Sequence, residues 1–281
     1  MSSSSNKEDS SATPTEQELV WAARLKEVAT ADGSGVDADE VSDWEFLQHA
    51  MVAKANTFKA LDRLKNLQAL KRRYGIIRDG SVDEAARDLR TFLQTHPGLY
   101  MSLANHSSED EGTQVFCSEY QRFQSSRMKS EEAYAVYMRA AFYVLQASQS
   151  NVAALRAGMI LLLDVYGALR YRSFQTEARA RELYGKAYPI RIQRVILLQA
   201  SGTLRAIYRF VLQPLLSRKV KECLVMAPSR KKDQELRDQC EDIPASSLPK
   251  GWGGDLPVDD FYDTILARLR ERYQMEETFR L

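Results

Sequence analysis

The sequence predicts an α/β protein in which helices cover a mainly parallel β-sheet. Two short apolar runs of strand length, residues 195–199 and 223–226, flank a segment in which apolar residues recur at helical spacing over residues 204–215. Strand, amphipathic helix and strand in this order form the repeating unit of such a sheet. The most apolar run, residues 159–163, follows another predicted helix at residues 131–149, which repeats the alternation.

The region before the sheet is predicted to be mostly helical. Residues 16–30 carry apolar side chains on a helical period, and Thr15 stands where an N-cap is expected. Residues 41–74 have the same period with a break near Asn56, so they should form two or three packed helices, and residues 82–94 should form another. Residues 98–104 alternate apolar and polar side chains, which predicts an edge strand.

Composition divides the chain into four parts. Residues 1–15 are rich in serine and poor in apolar side chains, which predicts a disordered tail. We assign residues 16–85 to a small helical domain, residues 86–256 to the α/β domain and residues 257–281 to a C-terminal helix.

Charge and cysteine content narrow the class of protein. The 39 basic and 38 acidic side chains give a formal net charge of +1, so no overall field attracts nucleic acid. Cys117, Cys223 and Cys240 are odd in number and scattered, which favours reduced thiols in a cytosolic protein over a disulfide framework or a zinc site. No run approaches the ~18 consecutive apolar residues that span a bilayer, and the N-terminus is polar. We therefore expect a soluble, cytoplasmic protein.

Motifs of the common enzyme classes are absent from the sequence. The chain has no G-x-S-x-G elbow, no G-x-x-x-x-G-K-[ST] loop, no H-E-x-x-H pair and no dinucleotide-type glycine loop. His49, His96 and His106 are far apart, which favours surface or structural roles. Asp164 ends the most apolar strand, where burial would perturb its pKa, but a carboxylate that caps the following turn is the stronger interpretation. We expect no catalytic residue, no cofactor and no metal.

Three motifs in the second half of the chain carry a family resemblance. They are a tyrosine-proline-x-arginine start at residues 188–191, a proline-leucine-leucine helix end at residues 214–216 and a leucine-proline-x-x-aromatic-glycine-glycine close at residues 248–254. In this order and spacing the chain resembles the CRAL-TRIO lipid-binding family, which includes retinal-binding, tocopherol-transfer and yeast phosphatidylinositol-transfer proteins. Residues 158–167 are similar to the family's strand that ends in aspartate and glycine, and residues 44–75 to the small helical domain before it. The resemblance covers residues 37–281.

The chain departs from the family pattern in three places. Residues 48–51 (QHAM) stand where the first helix usually carries arginines, so the local ionic network of those arginines is expected to be absent. Gly251 and Trp252 replace glutamate and tyrosine in the closing motif, and residues 199–201 (QAS) replace asparagine-x-proline. The chain is therefore identified as a divergent member.

The resemblance implies a movable gate helix over a lipid pocket, here at residues 203–216. Its apolar stripe and its arginines suit a lipid in a closed state and a membrane surface in an open one. An ordinary amphipathic helix packed on the sheet is the alternative. Because both faces of a covered sheet are apolar, the sequence does not decide which face of the sheet contacts the ligand. The candidate pocket residues come from the helix before the sheet, the strands and the gate: Tyr137, Phe142, Val144, Leu161, Leu163, Val195, Leu197, Ile207, Phe210 and Val211.

Basic residues beside the gate imply a second function. They lie in two stretches, residues 191–194 before the strand that precedes the gate and residues 218–221 directly after the gate. In tocopherol-transfer-like members, basic residues in these two stretches bind a phosphoinositide head group. Arg191 and Lys219 match two of those positions, whereas Gln193 and Cys223 occupy two others. Compensation would come from three further basic residues, Arg194, Arg218 and Lys221, since each charge near anionic lipid contributes about 1 kcal/mol. A solvated basic edge is the alternative.

Taken together, the resemblance implies non-catalytic binding and intermembrane transfer of a small hydrophobic lipid of the tocopherol, retinoid or phosphatidylinositol type. It further implies a monomer that touches anionic membranes transiently and binds no nucleic acid. The alternative is an interaction module that uses the fold to bind a partner protein and transfers no lipid. A pocket filled by the protein's own large side chains would mark that alternative.

Overall fold

The structure is a computed structural model. It describes residues 13–76, 82–95, 99–102, 113–123, 125–171, 173–212, 218–226, 243, 245–248, 250–255 and 261–281. The predicted tail up to residue 12, the loop at residues 106–112, His96 and Cys240 lie outside the described residues.

A five-stranded sheet in the order β1-β2-β3-β4-β5 forms the centre of the α/β region. β1 pairs antiparallel with β2, and the other three pairings are parallel, which confirms the predicted mainly parallel sheet. β1 lies at the edge, as its alternation predicts. β2 is a strand that the sequence analysis missed. The strands are β1 Leu99–Ser102, β2 Gln114–Glu119, β3 Met159–Asp164, β4 Ile192–Leu198 and β5 Leu224–Met226.

Helices surround the sheet and account for most of the described chain. They are α1 Glu16–Thr30, α2 Asp43–Ala53, α3 Thr57–Tyr74, α4 Val82–Thr95, α5 Tyr120–Phe123, α6 Glu131–Ala147, α7 Val152–Ala157, α8 Ala168–Tyr171, α9 Phe174–Arg181, α10 Gly202–Ile207, α11 Arg218–Cys223 and α12 Phe261–Thr278. π-Helical turns continue α9 at Glu182–Ala187 and α10 at Tyr208–Leu212. None of the described helices is long and apolar enough to cross a bilayer.

Side-chain caps set the first helix boundaries where the sequence predicts them. Thr15 caps α1 in a capping box with Glu18, whose carboxylate accepts from the Thr15 amide at 2.8 Å. The predicted break near Asn56 is confirmed, because the backbone of Lys54 and Ala55 is left-handed there and the Asn56 side chain caps α3. These local signals explain why the helical region is predictable from sequence.

The register of the sheet separates its two faces. On one face the cross-strand partners form two rows that are apolar except for Ser118, because residues paired across adjacent strands point to the same side. These rows are Phe116, Leu161, Val195 and Leu224, and then Ser118, Leu163, Leu197 and Met226. On the opposite face lie Cys117, Leu162, Ile196 and Val225.

The closing motif packs on that opposite face. Leu248 and Trp252 join the core cluster that contains Leu162 and Ile196. The Trp252 indole Nε1 donates a 3.1 Å hydrogen bond to Glu119 Oε1 at the end of β2. Since this face is covered by the protein itself, the free space of the domain lies on the other side of the sheet.

The helical region has buried ion pairs of its own, although it lacks the arginines of the family pattern. The Lys71 ammonium lies 2.5 Å from a Glu45 carboxylate oxygen, and both side chains are nearly buried. Arg272 from α12 is fully buried, pairs with Glu276 at 2.5 Å and lies over the Trp44 ring at 5.4 Å. A different set of charges therefore joins α2, α3 and α12.

Candidate functional site

A cavity of about 260 Å³ lies on the face of the sheet that the closing motif leaves uncovered. Its floor is β2, β3 and the start of β4, and its walls are α6 and the α9 segment. Most of the lining is apolar, as expected for a site that takes a hydrophobic ligand. The lining residues are Phe116, Ser118, Tyr120, Phe123, Tyr137, Val144, Leu145, Met159, Leu161, Leu163, Thr176, Glu177, Ala180, Arg181, Tyr184, Ile190 and Ile192.

An aromatic cluster fixes the α6 wall of the cavity. The Tyr137 ring lies 5.6 Å from the Phe92 ring and 5.7 Å from the Phe123 ring, in tilted arrangements that aromatic pairs favour. Ser130 caps α6 by accepting a hydrogen bond from the Ala133 amide. The wall is therefore held by packing that involves no ligand.

One part of the lining is polar. The Tyr120 hydroxyl donates a 3.2 Å hydrogen bond to Glu177 Oε1, and both residues line the cavity. Burial raises the pKa of Tyr184 to about 12, against an opposing hydrogen bond with the Tyr137 hydroxyl. Burial and then the neighbouring Tyr184, Tyr120 and Glu177 raise the pKa of Tyr137 well above its usual value. These four side chains therefore form one cluster, in which Tyr137 and Tyr184 stay protonated at neutral pH.

Ser118 adds a further polar group to the cavity wall. The residue is 4% exposed and lies on the cavity face of β2. A serine hydroxyl can both donate and accept a hydrogen bond, so Ser118 adds a polar group to a lining that is mostly apolar.

The predicted pocket residues fall into four groups: cavity lining, core, sheet beyond the cavity, and gate. Tyr137, Val144, Leu161 and Leu163 line the cavity. Phe142 does not, because it points into the core, where its ring packs edge-on against Tyr188 at 5.6 Å.

Val195 and Leu197 share the cavity face of the sheet but lie beyond the cavity. Leu197 packs against a small cluster formed by Val165, Ala168 and Ala200, next to the start of the predicted gate. The face itself is thus settled by the register, and it is the face of Leu161 and Leu163.

The predicted gate begins as α10 and continues as a π-helical turn, and residues 213–217 lie outside the described residues. Ile207 is 37% exposed and Phe210 is 74% exposed. Val211 belongs to the π-helical turn, and its side chain is not described. The segment borders an open depression of about 510 Å³ that reaches Leu224 and Met226, on the same sheet face as the cavity.

The two basic stretches come to the same edge of the sheet. Arg191 immediately precedes β4. Arg194 is the third residue of β4 and pairs with Ile160 of β3. α11 contacts β4 and leads into β5, whose first residue, Leu224, pairs with Val195. Arg191 and Lys221 are exposed. Arg218 and Lys219 lie in α11, and their side chains are not described.

Comparison with known families decides the assignment. The sequence matches the model of the CRAL/TRIO domain over residues 100–254, which is more than half of the chain. The chain belongs to the CRAL/TRIO domain family. No individual curated protein matches the sequence.

Family membership indicates which class of ligand the domain binds. CRAL/TRIO domains are in general non-catalytic, lipid-binding domains, and the family implies a hydrophobic lipid ligand. The match includes β2 to β5, the cavity floor, the gate segment and the closing motif. The resemblance inferred from the motifs is therefore confirmed.

Two other predicted residues have structural roles. Asp164 accepts a 2.9 Å hydrogen bond from the Tyr166 amide, so it caps the turn after β3 as the stronger interpretation holds. His49 is buried in α2, and its ring nitrogens have no hydrogen-bond partner among the described residues.

Sequence analysis missed the polar part of this CRAL/TRIO cavity. Ser118 lies near the end of β2 and Tyr120 follows the strand directly, and the apolar run of β2 is only three residues long, residues 115–117. Glu177 lies on a short polar helix, where a carboxylate usually faces solvent.

Proposed function

We propose that this protein binds a small hydrophobic lipid without covalent chemistry and transfers it between membranes. The observation that carries the proposal is the apolar cavity on the uncovered sheet face, which the protein's own side chains leave empty over about 260 Å³. An empty apolar space of this size costs packing energy unless a ligand fills it. The candidate ligands are of the tocopherol, retinoid or phosphatidylinositol type.

The same cavity argues against the alternative function. An interaction module that transfers no lipid would gain stability by filling the pocket with its own large side chains. Here Leu161 and Leu163 on the floor are only half-buried and border free space. The carrier function is therefore favoured over the partner-binding module.

The gate segment supports delivery at a membrane. Ile207 and Phe210 expose apolar surface, and Arg205 and Arg209 are exposed beside them. A helix that combines apolar and basic exposed residues suits the interface of an anionic membrane. We propose that this segment moves away from the sheet at the membrane, so that lipid enters or leaves through the open depression beside β5.

We also propose that the basic edge docks the protein on phosphoinositides. Arg191, Arg194, Arg218, Lys219 and Lys221 lie in the two stretches that meet beside β4 and β5. Their summed attraction to anionic lipid, about 1 kcal/mol for each charge near the surface, suffices for reversible contact. We propose a cytoplasmic monomer that contacts anionic membranes peripherally and transiently.

A vesicle-to-vesicle transfer assay tests the function. Donor vesicles carry a self-quenched fluorescent lipid, acceptor vesicles carry none, and the rate of dequenching is measured with and without the full chain. The account expects catalytic amounts of protein to speed transfer, and more so when both vesicles contain phosphoinositide. Dequenching at the protein-free rate for tocopherol, retinoid and phosphatidylinositol probes alike would contradict it.

A further inference from the structure

His49 lies in a buried junction between the helical region and the α/β region. Its side chain is 0% exposed, and neither ring nitrogen has a hydrogen-bond partner among the residues that the structure describes. Its helix, α2, packs against α1 and α3 of the helical region, against α7 and against α12. Because water does not reach the ring, a proton on it would be a buried charge as long as the junction stays closed.

The charges around His49 disfavour this proton further. Arg63 and Lys71 of α3 and Arg272 of α12 act on the ring as cations, and Glu45, one turn earlier on α2, acts on it as an anion. Glu45 is already paired with Lys71, whose ammonium lies 2.5 Å from its carboxylate. An imidazolium at this place would therefore add a fourth positive charge to a group that holds three.

Other charged groups at the junction already lie in ion pairs. These pairs are Lys26 with Asp43, Arg156 with Glu18, and Arg272 with Glu276. Burial, opposed by the Glu45 charge and reinforced by the cations, lowers the pKa of His49 to about 3. An opened junction would return the ring to its ordinary pKa of about 6.5, so acid favours the open state.

A chain of hydrogen bonds leads from α2 to the cavity. Gln48, the neighbour of His49, donates from its side-chain amide to Gln149 Oε1 at 3.2 Å. The Gln149 amide donates in turn to the Pro189 carbonyl at 2.8 Å, and the next residue, Ile190, lines the cavity. A movement of α2 away from Gln149 therefore removes a contact that positions the cavity lining.

α3 forms a second connection between the junction and the cavity. It packs along the π-helical turn that continues α9. The Asn66 amide donates to the Lys186 carbonyl at 3.5 Å, and the Arg73 guanidinium lies 3.6 Å from a Glu182 carboxylate oxygen. Tyr184 of the same turn lines the cavity. A movement of the helical region thus reaches the cavity wall through α3 as well.

We propose that His49, with Glu45, Arg63, Lys71 and Arg272 around it, forms an acid latch that holds the helical region on the α/β region at neutral pH and releases it in mildly acidic solution. The neutral ring fits the closed junction, whereas the imidazolium needs the water that an open junction admits. Opening separates Gln48 from Gln149 and α3 from the cavity wall, so bound lipid leaves faster. The effect on lipid rests on the carrier function proposed above, but the opening itself does not.

Hydrogen exchange of the full chain without lipid tests the opening. Exchange is measured at pH 7 and pH 5 and corrected for the pH dependence of the intrinsic rate. The opening constant of α2 and α3 should rise about 25-fold over this interval, because the open state takes up the proton and the closed state does not. The amides of β3 and β4 should show no comparable rise. An equal rise in the helices and in the sheet would indicate global unfolding and overturn the latch.

One variant and one control assign the effect to His49. His49→Gln replaces the ring by a side chain that stays neutral at both pH values, so it should remove most of the 25-fold rise. His96→Gln, which changes a histidine outside α2, should retain the rise. Nitrogen NMR of the histidine rings in the wild-type chain needs no variant. The His49 ring of the closed state should stay neutral at pH 5, and titration of that ring near pH 6.5 would overturn the latch.

Release of lipid is measured separately from the opening. The chain is loaded with the fluorescent retinoid, tocopherol or phosphatidylinositol probe that the transfer assay selects, and the rate of its release is compared at pH 7 and pH 5. We expect several-fold faster release at pH 5 from the wild type and little change from His49→Gln. Opening with unchanged release would overturn the connection to the cavity. Opening in a chain that takes up none of the probes would support the latch and remove the carrier function.

Discussion

Gln199 donates a 2.5 Å hydrogen bond from its side-chain amide to the Asp164 carboxylate, which joins the end of β4 to the end of β3. Gln199 has a left-handed backbone with φ near 54°, and α10 begins three residues later. Asp164 at the same time caps the turn at Tyr166. The start of the gate segment is thus fixed to the sheet by one carboxylate that serves two elements.

We predict that Asp164→Ala loosens this junction. The change leaves the Gln199 amide and the Tyr166 amide without their acceptor, which should lower the free energy of unfolding by about 1 to 3 kcal/mol. Chemical denaturation measures the loss, and hydrogen exchange should rise first at the gate segment. Asp263→Ala on the exposed side of α12 serves as the control. An unchanged exchange rate near residue 202 would show that Asp164 does not hold the gate.

Filling the cavity should abolish lipid binding without unfolding the protein. Leu161→Trp places a larger side chain into the free space of about 260 Å³. We expect bound lipid to fall at least tenfold, while the thermal midpoint stays within a few degrees of the wild type because the space is empty. Val20→Trp, on the exposed surface of α1, controls for the added tryptophan. Undiminished binding by a folded Leu161→Trp protein would place the ligand elsewhere.

The exposed phenylalanine of the gate should matter at the membrane. Phe210→Glu replaces an apolar contact by a charge that anionic lipid repels, so transfer from anionic vesicles should slow several-fold. The chain offers a matched control in Phe58→Glu, since Phe58 is 85% exposed on α3. Equal slowing by both variants would point to a general effect of charge rather than to the gate.

The basic edge should control docking. Replacing Arg191, Lys219 and Lys221 by alanine removes up to about 3 kcal/mol of attraction to anionic lipid, so vesicle binding should weaken up to about 100-fold. Sedimentation with phosphoinositide vesicles at several salt concentrations measures this, and the salt dependence should become shallower. The exposed residues Lys54, Lys59 and Lys129 give a control triple variant of equal charge. Transfer at the wild-type rate from anionic vesicles would rule out this edge as the docking surface.

His49 should make stability fall in weakly acidic solution. Burial lowers the pKa of His49 to about 3, with an opposing effect of Glu45, and three nearby cations lower the pKa further. The folded state thus holds the neutral ring, and its contribution is full above the unfolded pKa of 6.5 and declines as the pH falls toward 3. Between pH 7 and pH 5 the loss is about 2 kcal/mol.

Denaturation of His49→Gln tests this sign. The variant should lose less stability than the wild type over the same pH interval, whatever its stability at pH 7. His96→Gln should keep the wild-type slope. Identical slopes for wild type and His49→Gln would contradict the buried, neutral ring.

Local signals made part of the fold predictable. Thr15 and Asn56 mark helix starts by capping chemistry that acts over three residues, so α1 and α3 begin where the sequence indicates. The edge position of β1 was also predictable, from the alternation of apolar and polar side chains over residues 98–104. β2 was missed because its apolar run covers only the three residues 115–117, and pairing with β3 rather than propensity makes it a strand.

The candidate site was harder to predict, because it depends on the side to which each residue points. α6 is buried nearly all round from Tyr137 to Ala147, so periodicity does not tell the cavity wall Tyr137 from the core residue Phe142. The register shift at the start of β3 and β4 decides that Val195 shares a face with Leu161. Glu177 gave no signal, since its place in the cavity arises only from tertiary packing.

Native mass spectrometry of the full chain, purified from a eukaryotic lysate and followed by lipid extraction, tests the central claim most directly. We predict a mass above that of the chain by one hydrophobic molecule, and extraction should identify that molecule as a lipid. A protein of bare chain mass that also takes up no lipid from vesicles would contradict the carrier function.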